Sequence, residues 1–278
     1  MSRILLLAVS LACLATTEQK PDEKPTPVPP PAPMFAVLAS GKVYTLTNMG
    51  PVLGAEGKRL AFGIGFLAPS SDAAKVRAAA VDLVTLVDAE AVANGEEAIL
   101  LAAYSDYDPL SPGKSTGYNF VFTRKDGKWD TERLASLPAL TEGTRKLLGG
   151  WRGFRRDAAA EPITARSALE WLKLMDGGKV TEAFAQTTRF PDAVWDERRL
   201  KEYWEHEFRP RGPVRARTLA WWLHRWITET KDQPPREYLV VSFTTRVGEE
   251  HEPFPERVTF RRDDDGKFRV AGMWTPRP

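Results

Sequence analysis

Residues 219–228 read LAWWLHRWIT, a run with three tryptophans and a histidine. Successive side chains of an extended chain point to opposite sides. Leu219, Trp221, Leu223 and Ile227 therefore share one face, interrupted by Arg225, while Ala220, Trp222, His224 and Trp226 share the other. An aromatic side chain buries ~150–250 Å², so both faces of such a strand need a cover. The first face joins a core. The second must meet the other folded region, a second copy of the chain, or a ligand. Aromatic-rich patches usually mark interfaces, which selects a protein cover and makes Trp222, His224 and Trp226 the candidate interface or binding residues.

A length of 278 residues accommodates two domains at the usual ~100–200 residues each. A formal net charge of +2 is too balanced for general nucleic-acid binding, which needs a concentrated basic field. The N-terminus, MSRILLLAVSLACLATT, places one early arginine before an apolar run and small residues. That is the layout of a secretory signal, and it is shorter than the ~20 residues that span a bilayer.

Cys13 is the single cysteine, which excludes a disulfide framework and a thiolate metal site. SLAC resembles the bacterial lipobox, with Ser10 where that motif usually has leucine, so Cys13 is a lipidation candidate. The other reading is cleavage after Ala15, with Cys13 discarded. TTEQKPDEKPTPVPPPAP follows, and proline at this density makes an extended spacer that packs no core. The expected layout is a signal peptide over 1–15 and a proline-rich linker over 16–40. An N-terminal α+β domain over 41–134, a connector over 135–161 and a C-terminal α+β domain over 162–278 follow.

In the first domain, GKVYTLTNMGPVLG and KRLAFGIGFLAP read as a strand hairpin. Ser71 or Asp72 then caps a helix with Val76, Ala80, Leu83, Val84 and Val87 at helical spacing, ending at Asn94-Gly95. Two or three more strands follow. GIGFLA resembles a dinucleotide fingerprint only loosely, because Pro69, Ser70 and Ser71 separate it from the helix. PGKST lacks the first glycine of a phosphate loop, and Asp106 and Asp108 lack further carboxylates at calcium-loop spacing. All three are read as turns.

In the second domain, PITARSALEWLKLMDGG is a helix stopped by Gly177-Gly178, VTEAFAQTT a shorter one, and WDERRLKEYWEHEF a third, capped by Asp196. Strands are expected over 214–229, 237–247, 255–262 and 267–275, the last two joined through DDDG. The segments ALEWLKLMDGGKVTEAF, RPRGPVRAR, REYLVVSFTTRV, ERVTF and DGKFRVAGMW together resemble the bacterial domain-of-unknown-function family four-zero-one-nine. The resemblance covers roughly residues 162–275 and departs from the family at the closing MWTPRP. It implies a nuclear-transport-factor-two-like cone, helices packed into a curved antiparallel sheet, and no known activity.

Some cones are isomerases or dehydratases, which need a carboxylate or histidine base facing inward. The inward set read from alternation is Leu239, Val241, Phe243, Val247, Val258, Phe260, Phe268, Val270 and Trp274, with no such group. The opposite register, with Ser242, Thr244, Arg246, Arg257, Thr259, Arg261 and Arg269, reads as a solvated face. His206 precedes a proline rather than a second ligand, and His251 sits in an acidic turn, so neither a metal nor a cofactor is implied. The expectation is an exported envelope protein, periplasmic, lipid-anchored or secreted. It would serve as a non-catalytic binding or scaffold module whose partner is another envelope protein or a second copy. The alternative is a small-molecule-binding or hydrolase- or isomerase-type enzyme with a pocket in the C-terminal cone.

Overall fold

A computed structural model describes residues 32–53, 59–96, 98–107, 116–125, 128–130, 154–188, 196–227, 236–248 and 253–276. The expected signal sequence over 1–15, with Cys13, lies outside the described residues. The strands are β1 (Met34–Leu38), β2 (Val43–Leu53), β3 (Arg59–Leu67), β4 (Ala98–Asp106), β5 (Thr116–Lys125), β6 (Lys128–Asp130), β7 (Val214–Ile227), β8 (Arg236–Val247), β9 (Phe254–Arg262) and β10 (Phe268–Trp274). They form one open sheet of ten strands in the order β10-β9-β8-β7-β1-β2-β3-β4-β5-β6. Every pairing is antiparallel except β3 with β4. With helices against this sheet, the class is α+β.

The halves of the chain meet at β1, which pairs with β2 on one side and β7 on the other. A linker boundary at residue 40 is therefore corrected. MFAVL holds no proline, so every residue can donate to a ladder, and Ala36, Val37 and Leu38 are buried between the flanking strands.

The parallel β3–β4 pair needs a crossover, supplied by α1 (Ala73–Val84) and α2 (Asp88–Ala93). Asp72 caps α1, accepting from Ala74 N at 2.9 Å and Lys75 N at 3.3 Å. Val76, Ala80 and Leu83 line its buried face. GIGFL lies inside β3, and Ala68 runs on to a loop rather than into a helix. A Cβ at Gly65 would come within 1.9 Å of Asn48 Oδ1, so this glycine serves packing against β2.

The C-terminal helices are α3 (Ala160–Asp176), α4 (Val180–Ala185) and α5 (Glu197–Tyr203). The third of these continues as a π turn (Trp204–Phe208) and a 3-10 turn (Arg209–Arg211) where Pro210 ends helical bonding. Trp171, on the buried face of α3, donates its indole N–H to Ala183 O in α4 at 2.9 Å.

Two apolar cores result, on opposite sides of β7 and β8. Trp221, Leu223 and Val240 belong to the core under α1 and α2, whereas Trp222, Leu239 and Val241 belong to the core under α3, α4 and α5. The pairing of β7 with β8 shifts between Leu219 and Trp221. This bulge moves Leu219 onto the Trp222 side, against the simple alternation of the sequence.

The supposed solvated face is also corrected in part. Thr244 and Arg246 face water, but Ser242 and Arg261 are buried. Arg257 crosses to α2, donating to Glu90 Oε2 at 2.5 Å and Leu86 O at 3.1 Å. Its guanidinium also lies over the rings of Trp221 and Trp274. The N-terminal helical region thus covers an arginine that a free-standing C-terminal sheet would leave in solvent.

Candidate functional site

The three candidates of β7 point to the α3 side of the sheet, and each meets the chain's own residues. Trp222 donates its indole N–H to Glu161 O at 3.0 Å, in the first turn of α3. Trp226 is held edge-on by Phe35 of β1, ring centroids 5.8 Å apart, and by Phe154 at 5.4 Å. His224 between them is 0% exposed.

A chain of charges closes around that imidazole. His224 Nε2 donates to Glu161 Oε1 at 2.9 Å. Arg156 grips the same carboxylate in a fork, through Nε to Oε1 and through Nη2 to Oε2 at 2.7 Å. On the other side of the ring, His224 Nδ1 faces Glu237 Oε1 at 3.9 Å, too long for a hydrogen bond. Glu237 accepts from Arg262 Nε at 2.8 Å, and Arg262 Nη2 reaches Asp157 Oδ2 at 2.5 Å. Asp157 in turn accepts from Ala160 N at 3.0 Å, fixing the start of α3. The network fastens the N-terminus of α3 to β7, β8 and β9.

A histidine between two carboxylates is the partner set of a general base, but a base must reach a substrate proton. Here the ring is closed off from solvent, and both Glu161 oxygens are engaged by Arg156. The arrangement is a polar strut. Among the described residues, no group of three or more His, Cys, Asp or Glu side chains could hold a metal ion. His206 is exposed on the π turn, and His251 lies outside the described residues.

The hydrogen bond from Arg262 holds the Asp157 carboxyl below its ordinary value, more than burial raises it. A depressed carboxylate pKa contributes stability above the unfolded value, lost as pH falls through the folded one. Between about pH 5 and pH 3, Asp157→Asn is therefore expected to lose less stability than the parent chain, measured as the shift in urea midpoint.

A second cluster lies at the far end of α3, on the same side. Arg217 forks to Asp176 at 2.6 and 2.8 Å and reaches Glu256 at 2.5 Å, which also accepts from Thr245 Oγ1 at 2.5 Å. Each buried charge here has an opposite partner. This too is a tie between helix and sheet.

The sequence pointed to Trp222, His224 and Trp226 but missed Glu161, Arg156, Asp157, Glu237 and Arg262. One signal was available: RRDAAAE places acidic residues at a helix start, where they favour the dipole and cap it. Nothing local could have paired Glu237 with Arg262, because that contact depends on strand register.

An open, mostly antiparallel sheet, with cores on opposite sides and buried ion pairs tying helix to strand, makes this an α+β protein. Residues 167–273, from within α3 into β10, match the family described as Protein of unknown function (DUF4019). The region before them matches no family model. No curated protein and no solved structure matches the chain.

The segments that carry the family resemblance have structural tasks. The acidic-glycine turn supplies Asp176 to Arg217 and puts Gly178, at φ 68°, against the ring of Trp204. In the closing strand, Arg269 binds Asp263 at 2.6 Å and Asp265 at 2.7 Å across the hairpin.

Proposed function

We propose that this chain is an exported envelope protein whose folded part is a non-catalytic binding or scaffold module. On this reading the N-terminal α+β unit and a cone-like C-terminal unit form one platform, tethered through Cys13 and the proline-rich segment. The closure of the His224 site carries the reading: the strand richest in chemistry-bearing side chains is spent on ties between helix and sheet. A single cysteine two residues after Leu11, followed at once by a spacer that packs no core, supports the tether.

The tether is tested by intact mass of the membrane-extracted protein, where a diacylglyceryl-type addition on Cys13 is expected. Cys13→Ser should move the protein out of the membrane fraction. A mature N-terminus at Thr16 without lipid would dispose of the anchor. The non-catalytic reading predicts an unchanged envelope phenotype in His206→Gln and Glu207→Gln. Loss of the phenotype in a stably folded His224→Gln chain would instead favour an enzyme with its pocket in the C-terminal unit.

A further inference from the structure

On the opposite side of the sheet from His224, one cationic side chain breaks the pattern. Across β7, β8 and β9, Arg225 pairs with Tyr238 and Tyr238 with Arg261, so the three stand in one cross-strand row. They continue the face of Leu223 and Val240, one row beyond the part covered by α1 and α2. Arg261 is buried, its guanidinium 6.0 Å from the Tyr238 ring. On its other side Arg225 pairs with Met34, at the start of β1.

Arg217, Arg257 and Arg262 are each matched to carboxylates, as described above. Arg225 has no carboxylate partner among the described residues, although it is largely covered. Burial pushes the guanidinium below its ordinary value, opposed only by the Tyr238 hydroxyl. A covered charge without an opposite partner is costly. A guanidinium keeps its charge under these conditions and presents a planar fork of donors that fits carboxylate and phosphate oxygens.

We infer that Arg225, with Tyr238 beside it, is a binding site for a small oxyanion group, the phosphate or carboxylate of a ligand. Arg225 supplies the charge and the fork, with Tyr238 next to it across the strand pair. The site does not depend on the tether or on the closed His224 cluster, so its failure would leave the proposed function standing.

The experiment is thermal unfolding of the mature full chain in inorganic phosphate or acetate, against chloride at matched pH and ionic strength. At about 20 mM anion, a millimolar site should raise Tm by about 2–6 °C over chloride. The anion giving the larger rise assigns the class. Arg225→Gln should abolish the rise, while its Tm in chloride is at least that of the parent, because an uncompensated cation has been removed. A parent Tm equal in all three anions would overturn the site, as would a full response retained in Arg225→Gln. Should that variant fail to fold, phosphorus NMR of phosphate titrated with the parent chain decides. Saturable line broadening supports the site, and a non-saturating response overturns it.

Discussion

Glu161→Ala is expected to lower the unfolding free energy by about 3 kcal/mol, read as a lower urea midpoint at unchanged slope. Three groups converge on this one side chain and its backbone. The imidazole of His224, wholly buried, loses its one hydrogen-bond acceptor among the described residues. A buried donor without a partner costs about 1–3 kcal/mol by itself. Arg156 loses both of its fork contacts, but its side chain is 31% exposed and can turn to water. Its share is therefore small, which keeps the estimate at the lower end for a broken buried pair. The Trp222 indole is unaffected, because it donates to the Glu161 main chain. Glu161→Gln keeps an acceptor for His224 and should recover much of the loss. Equal losses in both variants would mean that the carboxylate charge, not the hydrogen bond, holds the strut.

Legibility of this fold from sequence follows the range of the interactions. The four C-terminal strands begin and end within about two residues of their sequence-based bounds, because alternation is a local signal. The Asp72 cap and the buried stripe of α1 are local in the same way. A single bulge at Ala220 leaves no such trace and transfers Leu219 to the other core. The seam is harder still. Whether MFAVL is a linker or a strand depends on β7, far along the chain, and prolines on its N-terminal side mask the apolar run. The same distance hides the coverage of the arginine face. Glu90 and Arg257 stand 167 residues apart, and neither neighbourhood announces the other.

For the candidate site the limit is register. That LAWWLHRWIT must be covered on both faces was readable from side-chain area alone. Which elements cover it was not. The start of α3 supplies Glu161, Phe154 packs on Trp226, and β1 brings Phe35 to the other side of that indole. Each partner lies outside the 41–134 domain, in segments that composition assigns to linker or connector.

That seam sets the largest expected effect. Ala36 is 0% exposed, paired with Tyr44 of β2 and Leu223 of β7, and its methyl group enters the core shared with Leu46 and Leu223. Ala36→Asp places a carboxylate in that apolar core. Arg225, opposite Met34, stands on the same face one side-chain row away, so the substitution is made in the Arg225→Gln background, which removes the cation that could meet the carboxylate. Burying an unpaired charge is answered by protonation or by expulsion of the strand, and either costs several kcal/mol. Expulsion of β1 would remove both of its ladders, leaving β2 and β7 with open edges and the halves of the sheet unjoined. The cores under α1–α2 and under α3–α5 would then lose their common support. The parent chain is expected to unfold in one calorimetric transition, whereas Ala36→Asp should unfold in two, the lower by at least about 10 °C. Ala36→Gly serves as the control, removing only the methyl group and keeping a single transition. One unshifted transition in Ala36→Asp would mean that the halves are joined mainly by the Arg257–Glu90 bridge and the packing of α1 and α2, rather than by β1.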